Sequence, residues 1–200
     1  MKTGQKQEIY FGEKMSDYDK LFQKAREFHG HVCPGIVLGT RLTLAGLREL
    51  GMNPHEPNKN LIVFMEIDRC GTDAVQAITG CSLGHRSLKF RDYGKFAATF
   101  VDIGTKKAVR IAVNEKNRSK HDQMEMKDVL VALAEIPEEE ILTIQQVTVP
   151  LSDDDVPGFP RYKTKCSRCG EQIMDHREVV VEGKEVCRSC AQGSYYQIVS

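Results

Sequence analysis

The densest group of metal-binding residue types lies in residues 28–35, with the sequence Phe-His-Gly-His-Val-Cys-Pro-Gly. If residues 29–33 run extended, His29, His31 and Cys33 share one face, because side chains at i, i+2 and i+4 of a strand point the same way. Imidazole and thiolate are ligands that zinc and other borderline-soft metals prefer. The segment therefore predicts part of a metal site. The alternative is a turn between two helices whose histidines are solvated.

Four other cysteines form two Cys-x-x-Cys pairs near the end of the sequence, Cys166 with Cys169 and Cys187 with Cys190, and 17 residues separate the pairs. Four thiolates at this spacing predict a closed tetrahedral zinc site. Full coordination leaves no position for a substrate, so this zinc would be structural. Because so short a segment has few large apolar side chains, zinc would supply much of its folding free energy.

Two more cysteines are candidate ligands in the first part of the chain. Cys70 follows a predicted strand over residues 61–67 and precedes a predicted helix over residues 74–79, with Thr72 as its N-cap. Cys81 follows the glycine that would end this helix. With His31 and Cys33 these residues would supply four ligands from three loops. Helix N-termini favour thiolates, so we expect lowered pKa values for Cys33 and Cys70.

Helical and extended segments alternate through residues 16–149. One amphipathic helix is predicted from the Ser16 N-cap to the His29–Gly30 step, and a second from Pro34 to about Leu50. A hairpin is predicted over residues 96–113 and a last strand over residues 142–149. Neither a regular βαβ repeat nor a glycine-rich phosphate loop is evident, so the prediction is a mixed helix and sheet core of the α+β class.

The expected organisation is a core at 1–150, a linker at 151–164 and a four-cysteine zinc finger at 165–200. The linker prediction rests on prolines and on the run Asp153–Asp155. Inside the finger, residues 178–184 predict a hairpin, and a helix could start after Cys187. Seven Lys/Arg against five Asp/Glu in residues 161–200 leave a net charge of +2, which makes nucleic acid an unlikely partner.

Composition excludes several classes of protein. Lys+Arg and Asp+Glu both number 28, which argues against attachment driven by a broad basic surface. No apolar run approaches the length of a membrane span, and the first 20 residues are too polar for a signal peptide. The seven cysteines favour a reduced, metal-binding cytoplasmic protein over a disulfide framework.

Four ordered motifs resemble the FmdE family, which is named after one of the subunits of formylmethanofuran dehydrogenase. They are residues 28–35, residues 68–74 (Asp-Arg-Cys-Gly-Thr-Asp-Ala), residues 80–84 (Gly-Cys-Ser-Leu-Gly) and residues 92–95 (Asp-Tyr-Gly-Lys). The resemblance implies an α+β core, often a homodimer, with a His/Cys-lined metal pocket and a C-terminal zinc finger of treble-clef type. It also brings Tyr93 and Lys95 near the pocket as candidates for proton transfer, although residues 92–94 could equally form an ordinary turn.

Two functional hypotheses follow. In the first, which the resemblance favours, the core is an enzymatic or accessory component of one-carbon metabolism and associates with other subunits of an oxidoreductase complex. A second metal ion, taken to be zinc, would lie in the core beside the structural zinc of the tail. In the second, the protein is a non-catalytic metal-binding or regulatory adaptor whose finger binds a protein or nucleic acid.

Overall fold

The computed structural model describes residues 16–114 and 125–199, so residues 1–15 and 115–124 of the predicted core lie outside the described residues. The helices are α1 (Asp17–His29), α2 (Pro34–Leu50), α3 (Gly71–Thr79), α4 (Met126–Glu135), α5 (Glu138–Ile141) and α6 (Arg188–Gln192). The core strands are β1 (Leu61–Met65), β2 (Leu88–Phe90), β3 (Ala97–Asp102), β4 (Ala108–Val113) and β5 (Leu142–Val147). Within the described ranges, no helix is long and apolar enough to cross a membrane.

The first two helices begin and end where the sequence predicts. Ser16 caps α1 through a capping box with Asp19, and Gly30 ends it in the left-handed conformation at φ 92°. Cys33 is the N-cap of α2, with Pro34 in its first turn. α3 differs, because it begins at Gly71 with Cys70 as N-cap. The expected cap, Thr72, lies inside the helix and donates a hydrogen bond to the carbonyl oxygen of Ile67 at 3.0 Å.

The five core strands form one mixed sheet in the order β2-β1-β3-β4-β5. β3 and β4 pair as the predicted antiparallel hairpin, and β5 continues the antiparallel run. β2, which was not predicted from the sequence, pairs in parallel with β1. Helices and a mainly antiparallel sheet in one core confirm the α+β prediction.

The helices cover one face of the sheet, and this is the face on which the largest core cluster lies. Leu61, Val63 and Met65 of β1 pack into that cluster with residues of α1, α2 and α3. The alternate residues Ile62 and Phe64 point to the opposite face, as the two-residue repeat of a strand requires. There they are buried in a smaller cluster that partly buried Val147, Val149 and Leu151 complete.

Glycines in α2 allow this helix to approach β3 and α3 closely. A Cβ atom added to Gly46 would lie 2.3 Å from the Phe100 ring of β3. One added to Gly39 would lie 2.6 Å from the Cα atom of Gly71 at the start of α3. A Cβ atom on Gly35 would lie 2.9 Å from Cβ of Cys70. The absence of side chains at Gly35 and Gly39 therefore allows the start of α3 to pack against the start of α2.

We expect Gly46→Ala to lower the free energy of unfolding by about 1–3 kcal/mol, because the Phe100 ring must move to admit the methyl group. The better helix propensity of alanine, worth about 1 kcal/mol, offsets only part of this cost. Chemical denaturation of both variants measures the difference. Gly84→Ala is the control, because nothing lies within 4 Å of a Cβ atom at that position. Equal stability of the two variants would contradict the close α2–β3 packing.

The tail forms a small separate sheet system around the four cysteines. Strands β6 (Lys163–Lys165) and β7 (Gln172–Met174) pair, as do β8 (Val179–Val181) and β9 (Lys184–Val186), and α6 follows. The hairpin predicted over 178–184 and the helix predicted after Cys187 are confirmed. The apolar core of this unit consists of only Cys166, Ile173 and Val186 among the described buried residues. Zinc is therefore needed for its stability.

The segment predicted as a linker, residues 151–164, packs in part against the core. Leu151 packs on the outer face of the sheet, and residues Asp153–Asp155 form one turn of 3-10 helix. Ser152 and Asp155 close a capping box around that turn. Arg86 of the core pairs with Asp175 of the finger at 2.8 Å, so the two parts are in direct contact.

Candidate metal centres

Two groups of cysteine and histidine residues bring their ligand atoms within 4.8 Å of one another. The first consists of Cys166, Cys169, Cys187 and Cys190 in the finger, and the second of His29, Cys33 and Cys70 in the core. The first is the four-thiol set predicted from the two Cys-x-x-Cys pairs. The second is a three-ligand group that differs in composition from the predicted core set.

The finger group has the dimensions of a tetrahedral zinc site. The Sγ atoms of Cys169 and Cys187 lie 3.8 Å apart. Two thiolates bound to one zinc at about 2.3 Å lie about 3.8 Å apart in tetrahedral geometry. The backbone N–H of Cys187 donates to the Cys166 sulfur at 3.2 Å, and that of Cys190 to the Cys187 sulfur at 3.4 Å. Four thiols with supporting N–H donors fit a closed structural zinc site.

The four thiols differ in proton affinity. Backbone N–H groups of Cys169 and Cys187 lower the pKa of Cys166 to about 6, because they stabilise its thiolate. The neighbouring thiols Cys187 and Cys169 raise the pKa of Cys190 to about 12, because they disfavour another negative charge. A divalent cation would remove this repulsion between thiolates and favour the deprotonated form of all four cysteines.

The core group forms where three helix ends meet. His29 is the last residue of α1, Cys33 precedes α2 and Cys70 precedes α3. The Cys33 Sγ and His29 Nε2 atoms lie 3.7 Å apart. A sulfur and a nitrogen that share a tetrahedral zinc lie about 3.6 Å apart, given Zn–S of about 2.3 Å and Zn–N of about 2.0–2.1 Å. The donor set and its spacing therefore fit a metal ion such as zinc.

Asp73 fixes the orientation of His29. The His29 Nδ1–H donates to Asp73 Oδ2 at 2.7 Å, since an ionised carboxylate can only accept. This leaves the Nε2 lone pair facing the Cys33 sulfur. Carboxylate–histidine pairs of this kind support metal ligands in many sites. Asp73 was not among the predicted site residues, although its position three residues after Cys70 places both within the first turn of α3.

Burial changes the expected proton affinity of Cys70. Its pKa is raised, first by burial and then by the adjacent Cys33 thiol, and the backbone N–H contribution that lowers it is smaller. The expectation of a lowered pKa for Cys70 is therefore wrong for the metal-free group. The main reason is the burial of Cys70, and the next is the Cys33 thiol, which lies 37 residues away in sequence and comes close only through the packing of α2 against α3.

Two of the four predicted core ligands lie outside the three-ligand group. His31 is exposed, and its ring packs against that of His29 with centroids 4.4 Å apart. Cys81 is buried at the far end of α3, where its thiol donates to the Leu61 carbonyl oxygen at 3.7 Å. The nine residues of α3 separate it from Cys70 by about 13 Å. His29, the weaker candidate from the sequence, occupies the position expected for His31.

Tyr93 and Lys95 also lie outside the three-ligand group. Both follow β2 in an exposed loop, where their backbone N–H groups donate to the Glu66 carbonyl oxygen at 3.1 and 3.3 Å. The Tyr93 side chain is 65% exposed. It lines a cavity with Phe64 and Glu66 on the sheet face away from the helices. The predicted part of Tyr93 and Lys95 in proton transfer remains a prediction.

We expect Asp73→Asn to weaken metal binding at the core group about 10- to 100-fold. The reason is that a neutral amide replaces the charged carboxylate that accepts the hydrogen bond from the His29 ring. Competition for Zn²⁺ with a chromophoric chelator, after the finger has been filled, measures this affinity. Asp92→Asn is the control, since Asp92 is exposed in the loop after β2. Unchanged zinc affinity in Asp73→Asn would contradict the positioning role of Asp73.

A family model described as "FmdE, Molybdenum formylmethanofuran dehydrogenase operon" matches residues 28–155, which is more than half of the chain. This chain belongs to the FmdE family. A second model, the "Prokaryotic dksA/traR C4-type zinc finger", matches residues 160–196 of this FmdE-family protein. The two matches confirm the resemblance that the four motifs carry, and together they support metal binding.

Two known proteins are similar over most of this FmdE-family chain. A "Probable S-adenosyl-L-methionine-binding protein" of Archaeoglobus fulgidus is 32% identical over 213 aligned residues, which cover 92% of this chain. The chain spans 56% of that protein, or about half its length. The crystal structure of a tungsten formylmethanofuran dehydrogenase FmdE-like protein from Syntrophus aciditrophicus is 23% identical, with a TM-score of 0.59. The alignment covers 90% of this chain and 95% of the Syntrophus aciditrophicus chain, which shows that the two share a fold.

Proposed function

We propose that the core group of His29, Cys33 and Cys70 binds a divalent metal, zinc by preference, with one coordination position left for an exchangeable ligand. The observation that carries the proposal is the convergence of one imidazole and two thiols within 4.8 Å from the ends of three helices. Three protein ligands are typical of catalytic zinc, whereas structural zinc has four. A bound metal of this kind would supply Lewis-acid chemistry.

The residues of the chain have separate tasks in this proposal. Cys33 and Cys70 supply negative charge to the cation, and His29 supplies a neutral donor. Asp73 holds the His29 tautomer, so that Nε2 and not Nδ1 faces the sulfurs. His31 packs against the His29 ring from the solvent side, which limits the movement of that ring.

The proposed context is one-carbon metabolism, with the protein as an enzymatic or accessory component. The names of two similar proteins support it: one is a formylmethanofuran dehydrogenase FmdE-like protein and the other a probable S-adenosylmethionine-binding protein. Formyl and methyl groups are both one-carbon units. The same proposal includes association with oxidoreductase subunits and formation of a homodimer. It also places the protein in a reducing cytoplasm, which would keep the thiols free.

The second candidate is a non-catalytic adaptor that uses the finger to dock on a partner protein. The observation that favours it is a set of four exposed large side chains after α6: Tyr195, Tyr196, Ile198 and Val199. Such side chains are typical of docking segments. The two candidates differ in whether the core metal accepts a further ligand.

Cobalt substitution at the core group tests this difference. We would fill the finger with zinc, load the core with Co²⁺ and titrate azide while recording the visible absorption spectrum. A saturable spectral change in the wild-type protein, absent from Cys70→Ser, is the expected result. An unchanged spectrum would show a closed metal shell and would favour the adaptor.

Equilibrium dialysis with labelled S-adenosylmethionine tests the substrate class separately. We expect the zinc-loaded chain to retain the ligand and the Cys70→Ser variant to retain less. No retention by the wild-type chain would remove S-adenosylmethionine from the proposal but would leave the open metal position to the cobalt experiment.

A further inference from the structure

A polar cavity of about 290 Å³ lies where the finger meets the core, apart from both cysteine groups. Its walls come from four parts of the chain: the end of β2, the segment after β5, the turn after β7 and the start of α6. The lining residues that bear charge on the core and finger sides include Lys89, Arg91, Asp175, His176, Arg177 and Arg188. The cavity has no role in the function proposed above.

The walls of this junction cavity are held by direct contacts between core and finger. The Arg86 guanidinium pairs with Asp175 at 2.8 Å and also donates to the carbonyl oxygen of Asp154. His176 Nδ1 lies 2.8 Å from Asp154 Oδ2, and the His176 ring stacks on Tyr162. These contacts fix the turn that carries Arg177 against the core.

The backbone at the junction is also unusual. Arg86, Asp175 and His176 all have positive φ, at 61°, 57° and 52°. Non-glycine residues adopt this conformation at an energetic cost and tend to do so at functional sites. Here Arg86 and Asp175 are partners in one ion pair. Packing and charge therefore maintain a shape that the local chain would not adopt alone.

Each acidic residue of the cavity contacts at least one protein group. Asp175 contacts Arg86, and Asp154 contacts His176. Asp155 accepts hydrogen bonds from the backbone and hydroxyl of Ser152 at 3.1 and 2.9 Å, and lies 3.9 Å from Arg91. One oxygen each of Asp154 and Asp175 is buried without a hydrogen-bond partner, so these carboxylates are only partly satisfied by the described residues.

Arg177 and Arg188 of the finger form no ion pair within the described parts of the chain, whereas Lys89 of the core has Asp155 as an acidic neighbour. Burial lowers the pKa of Lys89, and repulsion from Arg86 lowers it further. The Asp155 carboxylate offsets only part of this shift, and the four basic side chains of the lining exceed its three carboxylates by one charge. A bound anion would relieve this excess.

We propose that the junction cavity binds a phosphate-bearing small molecule, held by Lys89 on the core side and by Arg177 and Arg188 on the finger side. Arginine forks and lysine are the usual protein donors to phosphate oxygens. The volume is near the lower end of the range for small-molecule sites, about 300–1,000 Å³. Because the donors come from both parts of the chain, the ligand would stabilise the docking of the zinc-loaded finger.

Calorimetric titration of the full zinc-loaded chain with inorganic phosphate, at constant ionic strength, tests the proposal. We expect saturable binding that Lys89→Gln and Arg188→Gln each weaken at least tenfold. Arg161→Gln is the matched control, because Arg161 is exposed, pairs with Asp153 and does not line the cavity. Equal affinity in all four proteins, or an equal loss in the control, would overturn the proposal.

Two further measurements complete the test. Titration with phenyl phosphate separates the sources of the anion: tighter binding than inorganic phosphate indicates an organic phosphate ester, and equal binding indicates the free ion. NMR of the arginine Nε–Hε groups in the wild-type protein needs no variant to fold. A phosphate-dependent shift of the Arg177 and Arg188 signals is expected, and no shift at saturating phosphate would overturn the proposal.

Discussion

Replacing Cys166 by serine is expected to unfold the finger over residues 165–200 while the core stays folded. The hydrophobic core of the finger has only Cys166, Ile173 and Val186 as buried members among the described residues, so we expect its stability to depend on the metal. The apparent binding free energy of zinc in such sites is about 10–16 kcal/mol, far above what so small a core supplies. We expect one zinc fewer per chain and loss of amide-exchange protection in β6–β9 and α6, with protection in β1, β3 and β4 unchanged.

Cys81→Ser is the matched control for this experiment, since Cys81 is a free thiol of the core that lies outside both ligand groups. It should keep its zinc and the protection of the finger. The Arg86–Asp175 pair joins finger to core, so a small fall in core stability is compatible with the prediction. If Cys166→Ser abolished cooperative unfolding of the core, core and finger would be one folding unit and the prediction would be wrong.

The second prediction concerns the number of metals. Elemental analysis of the protein after reconstitution with zinc is expected to give two metals per chain, and Cys33→Ser or Cys70→Ser should give one. Loss of one ligand from a three-ligand site removes a third of its donors and leaves the other thiol without its cation. Because the four finger ligands lie in a separate group, the finger zinc should persist in both variants.

Histidine variants test which imidazole takes part. His29→Ala should lose the core metal, since His29 Nε2 faces the Cys33 sulfur at 3.7 Å. His31→Ala is the matched control, since His31 packs against His29 but is not in the ligand group. Loss of metal in His31→Ala with retention in His29→Ala would support the ligand set predicted from the sequence. A single metal in the wild-type protein would leave the core group metal-free and contradict the proposed function.

Local signals in the sequence were sufficient for α1, α2 and the finger. Ser16, Gly30 and Pro34 determine where α1 and α2 begin or end, because capping and φ restrictions act within a few residues. The two Cys-x-x-Cys pairs indicate their zinc site for the same reason, since each pair forms one short knuckle. β2 escaped prediction because a three-residue strand has too few residues to show a period.

The core ligands come together through long-range packing, so only the tertiary structure shows which of them meet. The sequence favours Cys70 and Cys81 equally as ligands, because each lies in a short loop beside the end of a regular element. The close approach of α2 to α3 at Gly39 and Gly71 brings Cys70 to Cys33. The rigid length of α3 holds Cys81 at the opposite end.

Which of His29 and His31 joins the ligand group also depends on how the helices pack. An extended segment would have given both histidines the same face, but His29 completes the last turn of α1 and Gly30 then turns the chain. Asp73 on α3, which lies 44 residues further along the chain, orients the His29 ring by a hydrogen bond. The sequence by itself thus determined which residue types could bind metal and where α1 and α2 begin and end, since these depend on neighbours along the chain. The tertiary structure decided which of them meet, since that depends on how whole helices pack.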